Sequence, residues 1–172
     1  MASIIKANQL QDFGGNSILT SDGAGVVTPN ASGIKNTPAF GVRVSSQSIA
    51  NDTDTKVAYD DIMWDTDNAF ASNKFTVPSG QGGKYYLQAH TQIPGIDDGE
   101  LGQIFIFING ASDQLTNVRV YSSGSNQIFR MITAYTAELN AGDYVEVYVY
   151  QNSGDAQTAA NQFFTGHKII GA

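Results

Sequence analysis

The chain has 172 residues, of which 15% are charged and 41% hydrophobic, and its 9 Lys and Arg against 16 Asp and Glu leave a formal net charge of −7. That length suits one domain with a short appendage, and the acidic balance argues against a nucleic-acid partner, because neutralising phosphates takes clustered cations. The absence of Cys removes disulfide scaffolds, zinc–thiolate sites and thiol catalysis. No apolar run approaches the roughly 18 residues of a membrane span, so membrane insertion is not expected either.

The first eight residues turn polar after Ile4 and Ile5, too soon for the apolar segment of a secretion signal, which predicts synthesis as a soluble protein. Residues 1–37 read as an arm with a linker. Ser3 to Gln11 is a possible strand, Phe13-Gly14-Gly15-Asn16 a turn, Ser17 to Thr20 a short strand, Ser21 to Gly25 a second turn, and Pro29 to Pro38 a linker. Its bulky apolar residues, Ile4, Ile5, Leu10, Phe13, Ile18 and Leu19, are too few for a core, so the arm is expected to dock on another body through them.

From residue 38 to 172 the hydrophobic pattern has period two, with turn residues between short apolar runs. Strands are predicted at Phe40 to Ser45, Lys56 to Trp64, Phe75 to Val77, Lys84 to Ile93, Gln103 to Asn109, Val118 to Ser122, Gln127 to Glu138, Tyr144 to Tyr150 and Phe163 to Ile170. No amphipathic helix is apparent. Lys84 to Ile93 places Tyr85, Leu87, Ala89 and Ile93 on one face, and Tyr144 to Tyr150 places Val145, Val147 and Val149 on the core side. The expectation is an all-β, antiparallel jelly-roll β-sandwich with a short extended N-terminal arm.

Two strands carry more apolar surface than one core needs. Ile104, Ile106 and Ile108 oppose Phe105 and Phe107, and the valines oppose Tyr144, Tyr148 and Tyr150. Phe105, Phe107, Tyr144, Tyr148 and Tyr150 are therefore expected to face outward as an interface between subunits. In the alternative register these aromatics fill the core and the valines face out.

Several segments, in order, resemble the trimeric jelly-roll superfamily of the complement component one, subcomponent q, globular heads and tumour necrosis factor. They are Pro38-Ala39-Phe40-Gly41-Val42, Lys56-Val57-Ala58-Tyr59-Asp60, Phe75-Thr76-Val77-Pro78 with Gly83-Lys84-Tyr85, Phe107-Ile108-Asn109-Gly110, Leu139 to Val145 with its Gly142-Asp143 pair, and Phe164-Thr165-Gly166. The resemblance implies a homotrimer closed by heterologous contacts around a threefold axis. No collagen-like stalk precedes the domain. The segments Ile4 to Asp12 and Asn16 to Gly23 resemble the opening of tailed-bacteriophage structural proteins. That resemblance implies a virion-surface protein, made in the host cytoplasm and released by lysis, which contacts other capsid or tail proteins through its arm. At most about 120 Å of extended arm is too short for a long fibre shaft, which favours a capsid decoration protein, a head fibre or a short tail fibre.

Chemistry is sparse. His90 and His167 are the two histidines, and no Gly-x-Ser-x-Gly elbow supports a nucleophilic triad. Gly80 to Lys84 lacks the first Gly and the Ser or Thr of a phosphate loop. Asp97, Asp98 and Glu100 form the best candidate for calcium, with a solvated loop as the alternative, and no other cofactor is expected. The loop acids could in principle serve glycoside hydrolysis, but only Trp64 suggests a sugar platform. The expected role is therefore non-enzymatic, with a rival reading in which Gln92 to Gly102 and Tyr121 to Asn126 bind a host glycan or envelope protein as a receptor.

Overall fold

A computed structural model describes residues 7–30, 35–112 and 114–169. Strands β1 (Gln9–Gln11), β2 (Ser17–Ser21) and β3 (Val27–Pro29) form a small antiparallel sheet of their own. Asp12 and Asp22 close its two turns, accepting the Asn16 N–H at 2.8 Å and the Ala24 N–H at 2.7 Å respectively. No residue between 7 and 30 is buried, as the scarcity of bulky side chains there predicts.

Two further sheets begin at β4 (Ala39–Ile49). They contain β5 (Thr55–Lys56), β6 (Asp61–Asp65), β7 (Phe70–Ala71), β8 (Lys74–Thr76), β9 (Gly83–Ile96), β10 (Leu101–Ile108), β11 (Ala111–Ser112), β12 (Val118–Tyr121), β13 (Gln127–Leu139), β14 (Tyr144–Gln151) and β15 (Gln157–Lys168), with one short 3-10 turn at Gln114–Thr116. One sheet has five strands in the order β13-β9-β15-β4-β6. The other has seven: β10 and β14 lie at its centre, β11 and β12 share the free edge of β10, and β5 and β8 share the free edge of β14. All these pairings are antiparallel, and the architecture is the expected jelly-roll sandwich.

The core lies between the sheets. Tyr85, Leu87, Ala89 and Ile93 of β9 face Val145, Val147 and Val149 of β14 and Ile104 and Ile106 of β10, and all are buried. Phe40 anchors an aromatic cluster, stacked on Phe75 at 4.5 Å and edge-on to Phe164 at 4.9 Å. Gly166 leaves room for that cluster, since a Cβ there would stand 2.8 Å from both Leu87 Cδ2 and Phe40 Cε1.

Two strand expectations need correction. Lys56 to Trp64 is not one strand: β5 pairs with β14 and β6 pairs with β4, so residues 57–60 cross from one sheet to the other while Val57 and Tyr59 pack on the core. The last strand begins at Gln157, well before Phe163, because Ala159 and Gln162 are buried although neither reads as a strand former. Asn161, at φ 50°, sits in the irregularity between Ala160 and Phe163.

Candidate functional site

The outer face of the seven-stranded sheet is built by alternation. With Ile104, Ile106 and the three valines turned inward, Gln103, Phe105 and Phe107 of β10 and Tyr144, Tyr148 and Tyr150 of β14 turn outward. Phe105 pairs with Tyr148 and Gln103 with Tyr150 across the strands. The rings stack, Phe107 on Tyr148 at 4.1 Å and on Phe105 at 5.4 Å, while Lys74 Nζ sits 4.3 Å from the Tyr144 ring centre. The register is the one expected.

The exposure of these rings differs from expectation. Phe105 is only 5% exposed within the single chain, and none of the five ranks among its exposed large apolar residues. Phe107, Tyr144, Tyr148 and Tyr150 are half-buried, the Phe105, Phe107 and Tyr148 rings lie against one another, and Phe105 lines a cleft of about 230 Å³.

That cleft stands on a cross-strand row. Gln103 of β10 has Arg119 of β12 and Tyr150 of β14 as its register partners, and Asp54, Phe105, Ser112, Gln114 and Asn117 also line the cleft. Gln103 is 8% exposed, and its Oε1 accepts from Asn117 Nδ2 at 3.2 Å and from an Arg119 guanidinium nitrogen at 3.3 Å. Asn117 Oδ1 is buried with no hydrogen-bond partner. Tyr150 donates its hydroxyl proton to Asp52, and that hydrogen bond, followed by partial desolvation, holds the phenol above its ordinary pKa. Asp54 makes no hydrogen bond or ion pair with another described residue. Alternation alone did not single out this cleft; the cue was Gln103, a polar residue within the otherwise apolar strand β10.

Of the calcium candidates, Asp98 is exposed, and Asp97 and Glu100 take part in the hydrogen bonds of their own loop. Asp97 Oδ1 accepts the Asn126 N–H and Glu100 Oε2 accepts the Asp97 N–H, both at 2.6 Å, so these carboxylates close their own loop. Among the described residues no three His, Asp or Glu side chains converge as metal ligands. The same hydrogen bonds, with Gly99 N–H to Ser122 O at 3.0 Å, bring together the two loops of the receptor reading.

His90 and His167 lie on the outer face of the five-stranded sheet, each in an aromatic pair. His90 stacks on Phe163 at 5.2 Å and its Nδ1 donates to Asn161 O at 2.7 Å, while His167 lies 5.7 Å from Tyr86. Neither hydrogen-bonds a Ser hydroxyl or a carboxylate among the described residues. Exposed apolar side chains occur at both sheets: Ile132 is 52% exposed and Trp64 48% on this one, whose strands β6 and β13 also expose Ile62, Met63 and Ile128, while Leu115 in the 3-10 turn and Tyr121 of β12 are exposed beside the other. Trp64 covers Gly41, where a Cβ would meet the indole at 2.3 Å.

In the arm, Leu10 and Phe13 are exposed, Ile18 and Leu19 are half-buried in β2, and Ile4 and Ile5 lie outside the described residues.

No protein-family model matches the chain, and no curated protein matches it in sequence. Solved structures do. The globular domain of zebrafish complement 1qA protein superposes with a TM-score of 0.57 at 19% identity, over 77% of this chain and 98% of that one. Eiger TNF from S. frugiperda superposes with a TM-score of 0.55 at 14% identity, over 78% of this chain and 93% of that one. The likeness is one of fold.

Proposed function

We propose that the chain is a non-enzymatic structural protein of the bacteriophage virion surface, a homotrimeric jelly roll held to the particle by its N-terminal arm. It serves as a capsid decoration protein, a head fibre or a short tail fibre, made in the host cytoplasm and released by lysis. The observation that carries this reading is the arm sheet β1-β2-β3, which shares no ladder with the sandwich, buries nothing and exposes Leu10, Phe13, Val26 and Val27. An apolar sheet that cannot make its own core needs a partner surface. The resemblance of the arm to the opening of phage structural proteins supplies the kind of partner.

We assign trimer formation to the outer face of the five-stranded sheet in place of the Phe105 side, because Phe105 is nearly covered within one chain. Trp64 and Ile132 give that face exposed apolar area, whereas Phe105 is buried and Phe107, Tyr144, Tyr148 and Tyr150 are half-buried. Contacts that join unlike patches of successive copies close a threefold ring.

The test is co-sedimentation with phage particles stripped of the protein, using the full chain and a chain starting at Pro38. The full chain is expected in the pellet and the truncated chain in the supernatant, with an unchanged β-sheet spectrum. Equal sedimentation of both, or of neither, overturns the attachment role.

A further inference from the structure

We infer that the cleft between β12, β10 and β14 is a binding site for one neutral sugar ring of a surface glycan. This goes beyond the attachment role and does not depend on it, because the cleft and the arm share no residue.

Its residues are held before any ligand arrives. Arg119, Gln103 and Tyr150 sit side by side on three hydrogen-bonded strands, and the buried Gln103 amide fixes Asn117 and Arg119 by accepting from both. A row set on adjacent strands is positioned by the sheet rather than by a loop, and a preordered site loses less entropy on binding.

The chemistry of the lining selects the ligand. One cation, Arg119, and one anion, Asp54, stand among neutral amides, so the cleft offers little net charge to an ionic ligand. It offers acceptors and donors together. Asn117 Oδ1 is buried without a donor, Asp54 accepts freely, Arg119 has donors beyond its one bond to Gln103, and Tyr150, whose proton goes to Asp52, presents its oxygen as an acceptor. A sugar hydroxyl both donates and accepts, which suits such a mixed set. Phe105 and Tyr150 both line the cleft and supply aromatic surface of the kind that suits the apolar C–H face of a pyranose. At about 230 Å³ the cleft lies below the ~300–1,000 Å³ of drug-sized sites, which limits it to one ring with the rest of the glycan outside.

The test is a titration of the 15N-labelled full chain, followed by two-dimensional NMR, with the methyl glycosides of glucose, galactose, mannose and N-acetylglucosamine, and with L-alanine as a zwitterion of smaller size. At least one glycoside is expected to shift the amide signals of Gln103, Asn117, Arg119 and Tyr150 in a saturable way, and L-alanine is not. Asn117→Ala and Asp54→Asn should each weaken that binding at least tenfold. Asp54 lies outside the core, so Asp54→Asn keeps the test valid if Asn117→Ala fails to fold. No saturable shift with any glycoside, shifts confined to residues outside the cleft, binding unaltered in Asp54→Asn, or a response to L-alanine alone each overturns the inference. Co-sedimentation of Asp54→Asn with stripped particles reads the attachment role separately, and it is expected to match the native chain.

Discussion

Asn109 binds the turn that holds Asp143 from both sides: its Nδ2 donates to Asp143 Oδ1 at 2.9 Å, and its Oδ1 accepts the Tyr144 N–H at 2.9 Å. Asp143 Oδ2 in turn accepts the Asn140 N–H at 2.6 Å. The Asn-Gly turn after β10 and the Gly-Asp turn before β14 are thus one hydrogen-bonded unit. Asp143→Ala removes both carboxylate bonds and is expected to cost about 1–3 kcal/mol, read from urea unfolding at neutral pH.

The same carboxylate predicts an acid sensitivity. The Asn140 backbone bond and then the Asn109 side-chain bond hold the Asp143 pKa below its ordinary 3.8. A depressed pKa contributes stability that is complete above the unfolded value and is lost as pH falls through the lower folded value. The stability gap between the native chain and Asp143→Ala is therefore expected to be constant from neutrality down to about pH 4 and to narrow below it. A gap unchanged at pH 2.5 contradicts this assignment.

Lys56 and Glu146 form an ion pair at 2.5 Å whose two halves are unequally covered, with side-chain exposures of 29% and 10%. Lys56 Nζ also donates to Ser72 O at 3.0 Å. Removing the lysine strands a nearly buried carboxylate, whereas removing the acid leaves an ammonium that can still reach water. Lys56→Met is expected to cost about 3 kcal/mol or more, and Glu146→Gln clearly less, in thermal or urea unfolding.

Gly166 admits no side chain without displacing Leu87 or the Phe40 ring. Gly166→Ala should destabilise by about 1–3 kcal/mol through overpacking, with the β-sheet spectrum retained.

The two sheet faces make opposite predictions for assembly. Ile132→Glu places a charge on the open face of the five-stranded sheet and is expected to reduce the light-scattering mass from that of a trimer to that of one chain. Phe107→Ser on the opposite sheet is expected to leave the trimer intact. The reverse result would return the subunit interface to the Phe105 side.

Alternation of side chains was the legible part of this sequence. Val145, Val147 and Val149 could be set against Tyr144, Tyr148 and Tyr150 because a strand repeats every two residues and only one of the two sets could line the inter-sheet core. The passage of residues 57–60 between sheets was not legible, because Val57 and Tyr59 keep the same alternation through a break in pairing. Exposure was not legible either. Phe105 faces outward as its position predicts and is still buried, and its stacking on Tyr148 of the neighbouring strand depends on a register that no local pattern encodes. The union of Arg119, Gln103 and Tyr150 escaped for the same reason.

The separateness of the arm sheet has a consequence for how firmly the protein is held. A three-stranded sheet that buries none of its residues has little to hold its order, so under the proposed attachment role a single arm would make a weak grip that costs ordering entropy. In a trimer three such arms hang from one body. Once the first is seated, the others search a small volume at high effective concentration, and their joint hold exceeds that of one arm by orders of magnitude, ~10²–10⁴-fold where the geometry lets all engage. Under the proposed attachment role, retention would be an avidity effect that depends steeply on assembly, and a copy that fails to trimerise would be released quickly.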